Sequence, residues 1–129
     1  MSIPTSLHTL HTRRLSLLSA IYALNAMLPG SYNEGYRKCG KPNCWCASAQ
    51  QGHPLRYLTW LDEQGTSRSK SVREADAVWV KSMTDAYRTF RQLRRELLSI
   101  DKEIKNIVDT HAKDMVEKTR QSKDSPWKK

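Results

Sequence analysis

The sequence predicts a mainly α fold, an antiparallel two-helix coiled-coil hairpin whose connection is a small cysteine-rich insert carrying a β-hairpin. Three observations predict it. Leu7, Leu10, Arg14, Leu17, Ile21, Leu24 and Leu28 recur at alternating three- and four-residue steps. Trp79, Met83, Ala86, Phe90, Leu93, Leu97, Ile100, Ile104 and Ile107 do the same in the second half. Between them, residues 30–73 hold twelve of the nineteen Gly, Pro, Tyr and Trp residues taken together and show no helical period. Such spacing places apolar side chains on one seam of a helix, so two seams separated by an aperiodic insert read as two helices folded back on each other.

The first element is a helix within residues 1–29. Pro4, Thr5 and Ser6 are helix-start chemistry and Pro29-Gly30 is a stop. Arg14 alone breaks the apolar seam, while Leu18, Ala20 and Met27 widen it. None of these 29 residues is acidic.

The insert spans residues 30–73. Within it Arg56 to Leu61 is rich in strand formers, Asp62-Glu63-Gln64-Gly65 is turn chemistry, and Thr66 to Val72 alternates Ser with Arg and Lys. This predicts a β-hairpin. Seven basic residues, Arg37, Lys38, Lys41, Arg56, Arg68, Lys70 and Arg73, stand against Glu34, Asp62 and Glu63.

All three cysteines lie in Cys39-Gly40-Lys41-Pro42-Asn43-Cys44-Trp45-Cys46, and His53 follows. Three thiolates and an imidazole are the ligand set of a closed tetrahedral zinc site. Gly40 and Asn43 tolerate positive φ and Pro42 fixes a bend, so the loop can aim its sulfurs at one point. Lys38 and Lys41 are expected to lower the thiol pKa values. A disulfide plus a spare thiol is the competing reading, but a Cys44–Cys46 bridge closes a very small strained ring. Three packed apolar thiols are another. His53 is the nearest fourth ligand, with Glu34, Asp62 or water as alternatives. The insert therefore reads as a zinc knuckle beside the β-hairpin.

The third element is a long heptad helix over residues 74–112, opened by a capping box at Ser71-Val72-Arg73-Glu74. Opposite its seam stand Lys81, Arg88, Arg95 and Lys102, flanked by Arg91 and Lys105, a face expected mainly as a solvated surface, with phosphate contact as the alternative. Residues 113–129 read as a basic disordered tail in which Trp127 is exposed. A first helix ending at Leu28 leaves Ile100, Ile104 and Ile107 near or beyond its reach, which predicts a homodimer or a protein partner there.

Composition bounds the function. With 129 residues, 38% apolar and one Phe, the chain has little for a large core. A structural zinc, worth about 10–16 kcal/mol of folding free energy, is a fitting remedy. A formal charge of +9 and a pI near 9.7 favour an anionic partner, with nucleic acid ahead of a membrane surface. The run from Leu15 to Met27 is interrupted by Ser16, Ser19 and Asn25, so no membrane span is expected. The heptad use of those residues and the clustered thiols favour the cytoplasm over secretion. No acid–base pair, nucleophile with its base, or Gly-rich phosphate loop is present, so a non-enzymatic protein is expected.

Tyr36-Arg37-Lys38-Cys39-Gly40-Lys41-Pro42-Asn43-Cys44-Trp45-Cys46, then Gly52-His53-Pro54-Leu55-Arg56-Tyr57-Leu58, resembles an uncharacterised family of small bacterial and archaeal proteins with a Tyr-Arg-x-Cys-Gly-Lys-x-x-Cys-x-Cys motif. The resemblance covers roughly Gly30 to Ile107. It implies a β-hairpin, a long C-terminal helix and a frequent association with mobile elements, beside transposase or recombinase genes. This sequence departs from the family at Pro54-Leu55-Arg56, where Gly-Pro-Tyr is more usual.

The leading expectation is a zinc-stabilised nucleic-acid-binding accessory protein. Arg37, Lys38, Lys41, Arg56, Arg68 and Lys70 would meet phosphates, with Trp45, Tyr36, Tyr57 or Trp60 stacking on bases. The alternative is a coiled-coil adaptor for a recombinase or transposase, docking through Ile104 and Ile107.

Overall fold

The structure, a computed structural model, describes residues 3–122 and 126. Its elements are helix α1 (Thr5–Tyr22), strand β1 (Ser31–Arg37), a single 3-10 turn (Trp45–Ala47), strands β2 (His53–Leu61) and β3 (Ser67–Ser71), a second 3-10 turn (Glu74–Asp76) and helix α2 (Ala77–Gln121). The strands form one antiparallel sheet in the order β1-β2-β3. The chain divides into two compact units, one of Met1–Ala23 with Arg91–Lys129 and one of Leu24–Phe90.

This architecture corrects the expected two-helix coiled-coil hairpin. A three-stranded sheet, a short first helix and one long last helix stand in its place. The reason is where the first helix stops. α1 ends at Tyr22, where the Ala23 N–H closes on the Ser19 and Ile21 carbonyls, so Leu24 and Leu28 lie outside any helix. The Leu28 N–H instead donates to the Met83 carbonyl at 3.1 Å, which ties this segment into the sheet-bearing unit. Helix propensity is a weak prior that such tertiary bonds override.

Residues 24–90 are built around the sheet. All seven residues of β1 pair with β2, from Ser31 opposite Thr59 to Arg37 opposite His53. Sequence reading missed β1 because Asn33, Glu34 and Gly35 are poor strand formers; its pairing partner, not its composition, makes it a strand. β2 and β3 are the expected hairpin. Its turn is fixed by Asp62 Oδ1, which accepts the N–H groups of Gln64 and Thr66 at 3.0 and 2.9 Å. Gly65 sits at φ +80°, which costs a glycine little.

The expected capping box does not form. Ser71 closes β3, the 3-10 turn starts after Arg73 without a side-chain cap, and Arg73 Nε instead binds Asp76 Oδ2 at 2.9 Å. The buried start of the α2 seam is Val80, one residue beyond the expected Trp79, which is largely exposed. α2 also runs on to Gln121, so residues 113–121 are helix and not tail. Trp127 lies outside the described residues.

In the other unit, Arg14, the odd member of the first seam, binds Asp101 through Nε at 2.7 Å, and Arg13 approaches Glu96 at 3.8 Å. Leu17 and Ile100 are its buried apolar side chains among the described residues, as Val80 and Cys46 are in the sheet-bearing unit. The core is thin in both. No described helix is long and apolar enough to cross a membrane.

Candidate metal centre

The β1–β2 register decides the geometry. Because Arg37 pairs with His53, the chain leaves the sheet at residue 38 and returns at residue 52, and everything between forms a loop hung on one end of the sheet. Cys39 lies just past β1, Cys44 and Cys46 lie at and within the Trp45–Ala47 turn, and His53 opens β2. The turn is closed by the Ala47 N–H on the Cys44 carbonyl at 3.1 Å, and the Cys44 N–H reaches the Lys41 carbonyl at 3.2 Å. Gly40 adopts φ +83°, which lets the chain reverse between the first two cysteines. Asn43 is not needed for this, since no described residue other than glycine has positive φ.

The ligand atoms of Cys39, Cys44, Cys46 and His53 all lie within 4.8 Å of one another. Cys39 Sγ is 3.5 Å from Cys46 Sγ, and Cys44 Sγ is 3.2 Å from His53 Nε2. A tetrahedral ion with metal–sulfur bonds of about 2.3 Å and metal–nitrogen bonds of about 2.0 Å spaces its donors about 3.5–3.8 Å apart. The Cys39–Cys46 pair meets that spacing, the Cys44–His53 pair is slightly tighter, and the widest pair, within 4.8 Å, must draw in for all four to bind one ion; the three thiols are free. The cluster is a potential metal site.

The alternative ligands are engaged elsewhere. Glu34 Oε1 accepts the Tyr32 hydroxyl at 2.7 Å, and burial together with that bond raises the Tyr32 pKa. Asp62 is held by its turn amides and by Arg68 Nε at 2.9 Å.

The electrostatics favour thiolate at the rim of the loop. Cys39 is exposed, and the Lys41 backbone N–H, with Cys46, His53 and Cys44 beside it, lowers its pKa to about 6. Lys41 thus acts through its amide, not through the ammonium expected from sequence. Cys46 is completely buried. It accepts the Cys39 N–H at 3.5 Å, which favours its thiolate, but burial and the adjacent thiols outweigh that bond and push its pKa up. A bound cation removes this conflict by neutralising the sulfurs together.

Two residues position the donors. The Trp45 ring meets His53 edge-on at 4.8 Å between centroids, orienting the imidazole. Gly52, unnoticed as a positioning residue in the sequence, is buried where a Cβ would stand 2.3 Å from the Arg37 carbonyl carbon and oxygen. Its only sequence signal is its place directly before His53.

The expected nucleic-acid contacts divide into two groups. Arg37, Lys38, Lys41 and Trp45 are exposed around the cluster. Arg56, Arg68 and Lys70 lie elsewhere, on one face of the sheet, because residues paired across the strands share a face and Arg37 stands opposite His53 on the other. Of these, Arg56 approaches Glu74 at 3.9 Å and Arg68 binds Asp62, so Lys70 is the one without an ion pair among the described residues. Of the expected partner contacts, Ile100 is buried and Ile104 and Ile107 are half-buried; Val108, Met115 and Val116 are the exposed apolar residues at that end of α2.

A family model described as a domain of unknown function, DUF6788, matches residues 7–82. The chain belongs to this family. No curated protein and no solved structure matches it. The DUF6788 match takes in all four donors, the whole sheet and most of α1, and it ends early in α2. It thus begins earlier and ends earlier than the stretch from Gly30 to Ile107 that carried the resemblance.

Proposed function

We propose that this DUF6788 protein is a zinc-stabilised, non-enzymatic module that binds nucleic acid, in the mobile-element setting that the resemblance implies. The observation that carries the reading is the cluster of three sulfurs and one imidazole nitrogen within 4.8 Å, with exposed Arg37, Lys38 and Lys41 adjoining Cys39 in the chain. Zinc is favoured among metals because thiolate-rich tetrahedral sets suit it. Four protein ligands leave no open position for a substrate or water, which argues for a structural ion.

The knuckle presents Arg37, Lys38 and Lys41 beside Trp45, which is 59% exposed. Basic side chains next to an exposed ring are suited to phosphates and to stacked bases, and nothing in the loop offers a code for base edges. Binding is therefore expected to be steeply salt-dependent and weakly sequence-selective.

The test is metal analysis of the purified protein with a salt titration of binding to short single- and double-stranded DNA and RNA. One zinc per chain, with affinity falling steeply as salt rises and falling again in Lys38→Glu/Lys41→Glu, is the expected result. Zinc-loaded protein that ignores every nucleic acid at low salt sinks the reading.

A second reading has its own observation. Val108, Met115 and Val116 are about half exposed near the end of α2, a surface suited to a protein partner or a second copy. Binding of that kind persists at high salt and is lost when Val108 and Met115 become polar.

A further inference from the structure

A pocket of about 530 Å³ lies at the β3–α2 junction, away from the cysteine loop in the sequence of the same compact unit. Leu28, Leu58, Val72 and Val80 give it apolar walls, Trp79 forms another wall, and Lys70 stands among the lining residues. Its frame is braced. The Val72 N–H donates to the Arg56 carbonyl at 2.9 Å, and Arg73 and Asp76, which also line the pocket, are bonded to each other at 2.9 Å. Arg73 is thereby partly neutralised by Asp76, whereas Lys70 has no acidic partner among the described residues. Trp79 is 59% exposed at the first turn of α2, where the seam already has Val80 for its core contact. Trp79 thus stands open beside an apolar recess that Lys70 also lines, an exposure that packing does not explain.

We propose that this pocket takes one unpaired nucleobase of a single strand, stacked against Trp79, with the strand's adjacent phosphate at Lys70. The assignment rests on the nucleic-acid reading above and adds to it a single-strand preference and a second contact point apart from the knuckle. A nucleobase has apolar faces and a polar rim, which matches apolar and indole walls bordered by Lys70, Ser71 and Asp76. Stacking on an aromatic ring accepts any base, so the pocket selects unpaired over paired bases without selecting sequence. Lys70, the lining cation without an acidic partner among the described residues, favours a phosphodiester over an apolar peptide.

The test uses the full chain loaded with zinc, a short labelled oligothymidylate, and the same backbone with abasic sites in place of bases. The wild type is expected to prefer the base-bearing strand, and Trp79→Ala to reduce that preference about tenfold while leaving the salt dependence in place. Trp79→Phe should keep most of the preference, and Lys70→Glu should weaken both strands alike. Because Trp79 is largely exposed and Lys70 lies on an exposed strand, melting curves and zinc content of all three variants should match the wild type. Equal binding of the two strands by the wild type, or a preference unchanged in Trp79→Ala, overturns the pocket while the knuckle reading stands through Lys38→Glu/Lys41→Glu. A free nucleoside monophosphate that binds as tightly as the strand, or an acidic peptide that displaces it, overturns the strand assignment. Failure of the wild type to bind any oligonucleotide overturns both readings.

Discussion

Gly52 shows how much one residue can hold. Its backbone presses on the peptide joining Arg37 to Lys38, immediately before the first cysteine, and it precedes the histidine donor. Gly52→Ala forces that contact apart, and a clash with backbone cannot be relieved by a rotamer change. We expect a loss of about 1–3 kcal/mol in thermal unfolding together with weakened metal retention. A variant that keeps both would show that the two ends of the loop are held independently.

The three thiols differ enough to be told apart chemically. In metal-stripped protein at pH 7, Cys39 is exposed and already above its pKa of about 6, so alkylation should reach it first. Cys46, buried and with its pKa raised, should react last. Mass mapping of a partial alkylation gives the order, and metal should protect all three.

Asp62 carries the pH sensitivity of the β2–β3 turn. The Arg68 guanidinium, and then the Thr66 N–H, hold its carboxyl below its ordinary range despite an opposing effect of burial, with the Gln64 N–H adding to the lowering. A depressed acid stabilises the fold above its unfolded value near 4, and the benefit is lost as pH falls through the folded value. Acid titration should therefore loosen the Thr66 amide first, and Asp62→Asn should flatten that response, as amide exchange would reveal. Little of this residue-scale detail was legible beforehand. The four donors and the turn at Asp62 follow from residue types at short spacing, but Gly52 matters only because β1 pairs with β2.

At the scale of elements, the loop and the β1–β2 ladder are one device. Metal binding contributes to folding free energy where the ligands are brought together by the fold, and here the donors straddle the open end of that ladder. Removing metal with a chelator should speed hydrogen exchange first at Gly35 and Arg37 in β1, while the middle of α2 stays protected. Uniform exchange across all elements would instead mean that the metal governs the whole chain. The long helix makes a separate statement. Ile100 is 4% exposed while Val108 is 52% exposed, so Ile100→Ala should cost about 2–4 kcal/mol and Val108→Ala almost nothing in the isolated chain. If Val108→Ala proves costly at high protein concentration only, a second copy covers that face.

At the scale of the whole molecule, a chain of 129 residues with a formal charge of +9 holds few buried apolar side chains in either of its compact units. The sequence by itself determined the donor set, the hairpin turn, the thin core, and the long amphipathic helix, because each depends on residue types at fixed short spacing. Those are properties of the local chain. Tertiary structure alone decided where α1 stops, that a Gly-containing stretch of weak strand formers becomes β1, and that Arg56 and Arg68 are engaged while Lys70 has no acidic partner among the described residues. It also decided that a pocket opens beside Trp79. These features depend on pairing between residues distant in sequence, and a heptad count extended through Leu24 and Leu28 had no means of registering the hydrogen bond from Leu28 to Met83 that takes those residues out of the helix.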